Sequence, residues 1–232
     1  MKTIERFFTG ISVACVTLIS VGAASAATIT GVTSFLTFGN EMNGMEVTVN
    51  FQGGATSTAL FNATVGNSGA ASAGGWSLTQ PGRTDTNPWI FSNNTGSVIS
   101  SLFINAIPGK TVFDVLRDSP STPNSGGGIP FTFVSGVSPS SVEYDNIVNV
   151  SGSAPVGDLY ADMTLFWDNG FSSGSSLSFL ADTDSATAVT DQTNNTKPVP
   201  VPGVVAGIVL AAGFFSSKEI NKRKTQLRKT EV

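Results

Sequence analysis

The acidic pair in "LADTDSA", Asp182 and Asp184, stands two residues apart where an apolar run ends. On an extended strand, residues i and i+2 share a face, so both carboxylates would project to one side. Carboxylate and amide oxygens are the donors a hard cation such as calcium takes. A second acidic cluster, "WDNG", offers Asp168 and Asn169. Neither stretch matches the twelve-residue EF-hand loop, and Asp-Asn-Gly equally suits a hairpin turn. Calcium is therefore the one cofactor these residues suggest, and a solvated acidic face is the alternative.

Paired carboxylates could also cleave a glycosidic bond, one as acid and one as base or nucleophile. Asp158, Asp162 and Asp168 lie on or beside one stretch, with Trp167 adjacent as a ring on which a sugar could stack. Asp162, however, falls on the polar side of an alternating pattern, where a solvated carboxylate is expected. Trp76 and Trp89 are further stacking candidates, with core packing as the competing fate for such rings. The chain has no histidine, which removes the commonest general base, the Ser-His-Asp triad and histidine metal ligands. A Ser-Lys dyad could draw on Lys110, in "IPGKTVF", but that context reads as a turn entering a strand and its lysine as solvated. No catalytic site is expected.

Charge narrows the partners. Residues 27 to 197 carry thirteen Asp/Glu against four Lys/Arg, a net charge of −9, whereas the whole chain stands at −4. Nucleic acid is excluded as a partner, because phosphate contact needs basic patches that this region lacks.

The elements that must hold these residues read as strands. "MEVTVNF" alternates Met45, Val47, Val49 and Phe51 with polar residues, and "LYADMTLFW" alternates Leu159, Ala161, Met163, Leu165 and Trp167 with Tyr160, Asp162, Thr164 and Phe166. A period of two marks a half-buried strand. "ITGVTSFLTF", "TALFNATV", "NPWIFS", "VISSLFINAI", "KTVFDVL", "IPFTFVSG" and "SLSFLADT" are further candidates between Gly, Asn, Pro and Ser turn signals. "GNSGAASAGG", "RDSPSTPNSGGG" and "SGVSPSS" read as loops. No segment carries a helical stripe, so roughly nine to eleven short strands predict an all-β domain, an antiparallel β-sandwich or jelly roll.

Both ends of the chain differ from this body. Lys2 and Arg6 precede an apolar run from Phe7 to Val21, followed by Ala24-Ser25-Ala26. These are the three parts of a secretory signal peptide, cleaved after Ala26; a retained anchor is the alternative. The single cysteine, Cys15, lies inside that signal, so the mature protein would have no disulfide and no thiolate metal site. A lipoprotein cut before Cys15 would want an aliphatic residue where Ser12 stands.

At the other end, Pro198, Pro200 and Pro202 alternate with valine ahead of "VVAGIVLAAGFF", and Lys218, Lys222, Arg223, Lys224, Arg228 and Lys229 follow. Twelve apolar residues make a helix of roughly 20 Å, short of the ~30 Å hydrocarbon core. Basic residues beside such a run stay cytoplasmic, which would leave the domain outside. The alternating prolines hold an extended stretch accessible to a processing enzyme. The expected organisation is a signal peptide over 1–26, a β-sandwich over 27–191, a Pro-containing linker over 192–203, a short transmembrane sorting helix over 204–217 and a basic cytoplasmic tail over 218–232.

This tail resembles the PEP-CTERM sorting signal of exopolysaccharide-producing Gram-negative bacteria, cyanobacteria included. The likeness covers residues 198 to 224, with Pro200-Val201-Pro202 in the place of Pro-Glu-Pro. It implies transient membrane insertion and cleavage by an exosortase, a membrane-embedded cysteine transpeptidase-like enzyme; a simple tail anchor is the alternative. The expected function is a structural or adhesive component of the cell surface or extracellular matrix, associating with itself or with exopolysaccharide. A secreted carbohydrate-binding module comes second, and a secreted glycosidase third.

Overall fold

The alternating segments pair into two β-sheets in a computed structural model, which describes residues 27–117, 121–151 and 153–190. The signal peptide, Cys15, most of the linker and the sorting segment with Pro200, Val201 and Pro202 lie outside the described residues. Among the described residues no helix is long and apolar enough to cross a membrane. Fourteen strands follow in chain order: β1 (Ala27–Ser34), β2 (Glu46–Phe51), β3 (Thr56–Leu60), β4 (Asn62–Ala63), β5 (Gly69–Ala73), β6 (Trp76–Gln80), β7 (Trp89–Asn93), β8 (Ile99–Asn105), β9 (Thr111–Asp114), β10 (Thr132–Gly136), β11 (Ser141–Val150), β12 (Leu159–Phe171), β13 (Ser176–Leu180) and β14 (Asp182–Thr190). Two single 3₁₀ turns, Gly39–Glu41 and Ile107–Gly109, are the helical elements described.

The smaller sheet has the order β10-β13-β7-β6-β5-β4, and the larger β11-β1-β14-β9-β12-β8-β2-β3. The expected all-β sandwich is thus the architecture. Between the sheets, Val47, Val49, Leu102, Ile104, Met163 and Leu165 meet Trp76, Leu78, Trp89, Phe91, Leu177 and Phe179 in one buried cluster. This is the period of two at work, since each strand commits its apolar face to the facing sheet.

The larger sheet also bends back on itself, because β11 pairs with β12 as well as with β1. Strands β11, β1, β14, β9 and β12 therefore close a ring, in which β1–β11 is parallel and the other pairs antiparallel. All five contribute to a second buried cluster: Ile29, Val32, Val112, Val148, Leu159, Ala161 and Ala186. An apolar set drawn from every strand of a closed ring fills its interior. The body thus has two cores, one between the sheets and one inside the ring.

Several sequence expectations need correction. "GNSGAASAGG" is not all loop: it contains β5, whose Gly69 and Ala71 are buried. Small residues are needed there, since a Cβ on Gly69 would lie 2.2 Å from the Gly39 carbonyl oxygen and 2.4 Å from Phe61 Cε1. Gly69→Ala is expected to destabilise the fold by about 1 to 3 kcal/mol, the usual cost of overpacking, as measured by denaturant unfolding; an unchanged midpoint would contradict this contact. The candidate segments include neither β6 nor β11, and "SLSFLADT" contains the whole of β13 and the start of β14. "WDNG" is no hairpin turn either. It sits within β12, where Phe166 pairs with Ser101 but Phe171 with Ile99, so residues 167–170 bulge out of register, with Gly170 at φ 77°.

Candidate site: a buried carboxylate cluster

Asp182 and Asp184 open β14, and β14 lies against β9 with Asp182 opposite Asp114 and Asp184 opposite Val112. Asp182, Asp184 and Ala186 share one strand face, as do Val112 and Asp114 on the neighbour. Val112 and Ala186 belong to the ring core, so the three carboxylates continue that interior toward one end of the ring. Asp158 precedes β12 at Leu159, the residue that pairs with Asp114. All four carboxylates are buried, Asp114, Asp158 and Asp184 completely.

Residues 122–129 cover them. Thr122 donates its backbone N–H and its hydroxyl to Asp158, the latter at 2.8 Å, and Ser125 Oγ donates to the same carboxylate at 3.3 Å. Gly128 packs directly on Asp114, where a Cβ would meet Oδ1 at 2.2 Å. The Asp182 N–H donates to the Ile129 carbonyl at 2.9 Å, stitching the segment to β14. A sequence that reads as low-complexity loop, "RDSPSTPNSGGG", thus supplies hydroxyls and glycines that let the backbone approach a polar, buried point.

Hydrogen bonding is uneven across the cluster. Asp182 Oδ1 accepts from Thr84 Oγ1 at 2.9 Å and from the Thr183 N–H at 2.9 Å, while Asp114 Oδ1 accepts from the Leu116 N–H at 3.2 Å. Asp114 Oδ2 and both oxygens of Asp184 are buried with no hydrogen-bond partner. Burial disfavours the charged form of such groups, and neighbouring negative charge disfavours it further. Desolvation pushes Asp114 up to about 7, helped by Asp158 and Asp182 and opposed by the Leu116 N–H. It also lifts Asp182 to about 7, with Asp85 raising and Thr84, Thr183 and Arg83 lowering the value. Asp184 rises to about 9, from desolvation first and then Asp114, Asp182 and Asp158.

Among the described residues no basic side chain bonds to these carboxylates, and Arg83 acts on Asp182 only as a nearby charge. The basic side chains among the described residues are Arg83, ion-paired with Asp85, and the exposed Lys110 and Arg117. Near neutral pH the cluster therefore holds protons or an external cation. Asp114, Asp158, Asp182 and Asp184 offer oxygen donors alone, and among the described residues no three acidic side chains stand close enough to hold a metal as they are placed.

The other sequence candidates are scattered. Asp168 and Asn169 are exposed in the β12 bulge, toward the far end of that strand from Asp158, and are not brought to Asp182 and Asp184. Asp162 is not on a solvated face: it is buried and takes a hydrogen bond from Asn146 Nδ2. With Asp158 sealed under Thr122 and Asp168 on the surface, the three carboxylates of the glycosidase reading do not flank one opening. The tryptophans are core: Trp76, Trp89 and Trp167 are 1%, 0% and 4% exposed. Trp89 stacks on Phe179 at 6.2 Å with its Nε1 donating to the Ala181 carbonyl, and Trp167 packs on Phe171 at 4.8 Å. Their faces are committed to neighbours rather than to a sugar. Lys110 is exposed, at the end of a 3₁₀ turn, as its sequence context implies.

Asp114 is the site residue that sequence reasoning missed. The signal was present in "KTVFDVL", where Asp114 takes the same strand face as Val112, an acidic residue in an apolar register. Compared with protein-family models, with curated proteins and with solved structures, the chain matches none.

Proposed function

We propose that the chain is an exported structural or adhesive protein of the cell surface or extracellular matrix, sorted through a PEP-CTERM-like tail by an exosortase-like enzyme. One observation carries most of the support. The first and last described strands, β1 and β14, are neighbours in the larger sheet. Thr28 and Thr190 are directly paired, so leader and tail depart from neighbouring points on one end of a body that closes without either. Such a body can be released from its leader and processed at its tail with its cores intact.

The carbohydrate-binding reading would need platforms other than Trp76, Trp89 and Trp167, which are packed inside. The test is to delete residues 198–232 and to weigh the surface protein. Wild-type protein recovered from the surface is expected to start at Ala27 and to lack the residues beyond about Pro202, while the deletion variant is lost to the medium or periplasm. Recovery of the intact basic tail would leave the simple anchor, and unchanged placement of the deletion variant would overturn sorting altogether.

A further inference from the structure

We propose that Asp114, Asp158, Asp182 and Asp184 form a binding site for one divalent cation of calcium's class, covered by residues 122–129. Acidity alone would not single out this place. What does is Asp184: fully buried, on the ring-facing side of β14, with neither oxygen accepting a hydrogen bond, beside an Asp114 oxygen in the same condition. A buried carboxylate left without donors is costly in either protonation state, and ionised it needs a counter-charge.

The spacing suits one ion. Asp114 and Asp182 are directly opposed across the β9–β14 ladder, where Cβ atoms stand about 4.5–5.5 Å apart, and Asp184 is the diagonal neighbour at about 7–8 Å. Calcium takes six to eight oxygens at about 2.3–2.6 Å in irregular geometry, so oxygens roughly 5 Å apart can share it. Among the described residues no three acidic side chains already gather at ligand distance. Binding therefore draws Asp184 and the free Asp114 oxygen inward by side-chain rotation, and at Asp184 no hydrogen bond resists that movement. Asp158 is held in place by Thr122 and Ser125, yet its Oδ1, which accepts only from the Thr122 hydroxyl, keeps a second lone pair. The donors are hard oxygens throughout, and the body has neither histidine nor cysteine, which favours calcium over zinc.

The full chain, stripped with chelator at pH 8, is to be titrated with calcium chloride, magnesium chloride, and sodium chloride at matched ionic strength, reading melting temperature and calorimetric binding. Calcium is expected to bind one per chain and to raise the melting temperature where sodium does not. Asp184→Asn should weaken calcium binding at least tenfold while raising the melting temperature in chelator, because a buried amide, unlike the carboxyl, has no proton to take up on folding. Asp168→Asn, in the exposed bulge, should leave the calcium response unchanged. If Asp184→Asn does not fold, Asp114→Asn is judged by the same two readings, and the comparison of calcium with sodium on the wild-type chain stands by itself. Equal stabilisation by sodium and calcium, or wild-type calcium binding by the Asn variants, overturns the proposal.

Discussion

Raising the pH from 5 to 9 in the presence of chelator is expected to lower the melting temperature of the chain, by about 10 °C or more. The sign follows from proton counting. Asp114, Asp182 and Asp184 hold protons in the folded state up to about 7, 7 and 9, whereas in the unfolded chain they release them near 4. Above pH 4 the native state binds more protons than the unfolded one, so stability falls as pH rises until the folded values are passed. Moving one carboxylate from its ordinary value to about 7 corresponds to roughly 4 kcal/mol, against a total of ~5–15 kcal/mol for a typical domain. For chains of this size 1 kcal/mol shifts the midpoint by about 2–4 °C. Arg83 favours ionisation of Asp182 but is shared with Asp85, which opposes it, so the pair leaves the direction unchanged. A melting temperature that is flat or rises between pH 5 and 9 would show that the cluster is hydrated and ordinary.

Asp158→Ala is expected to cost about 2–6 kcal/mol, from two buried donors left unmade, and to open residues 121–130 to protease. The substitution strands the Thr122 N–H and its hydroxyl, both of which bond to this carboxylate, while the Ser125 hydroxyl keeps its shorter bond to the Thr122 carbonyl. Each buried donor left unmade costs about 1–3 kcal/mol. Thr122→Val removes a single hydroxyl and should show a fraction of the effect. Limited proteolysis with mapping of the first cut distinguishes local release from global unfolding. If the first cut in Asp158→Ala falls elsewhere, the carboxylate does not hold the segment.

Much of the fold was legible because it rests on alternation. Val47, Val49, Leu102, Ile104, Met163 and Leu165 are where a period of two places them, facing the second sheet. Two kinds of strand escaped. Gly69–Ala73 has almost no apolar side chain to mark it, and its pairing depends on backbone approach between Gly39 and Gly69, a tertiary fact without a local signature. Ring closure depends on β11 meeting both β1 and β12, and the β1–β11 pairing, such as Ala27 with Val148, joins distant residues and leaves no trace in a short window. The site was half legible for the same reason. Asp182 and Asp184 are two apart in sequence, but Asp114 and Asp158 reach them only through the ladder. Asp162 misled because β12 is buried on both faces from Ala161 to Leu165, so alternation there no longer separates core from solvent. The tryptophans resolved toward packing, where rings of that size remove the most apolar surface from water.

The pairing of Thr28 with Thr190 gives the body a directional response to tension. A load drawn between the two chain ends would act at the open end of the β1–β14 ladder and part its hydrogen bonds one after another, as a zip opens. A load drawn between the tail and an object gripped on the opposite end of the body runs along β14 instead. There the strand is flanked by β1 on one side and β9 on the other, and both ladders must slide together before it yields. Forced unfolding is governed by the rate of crossing that barrier rather than by equilibrium stability. A surface protein held by its tail would therefore resist a pull on its far side for longer than it would resist being peeled from its own amino terminus.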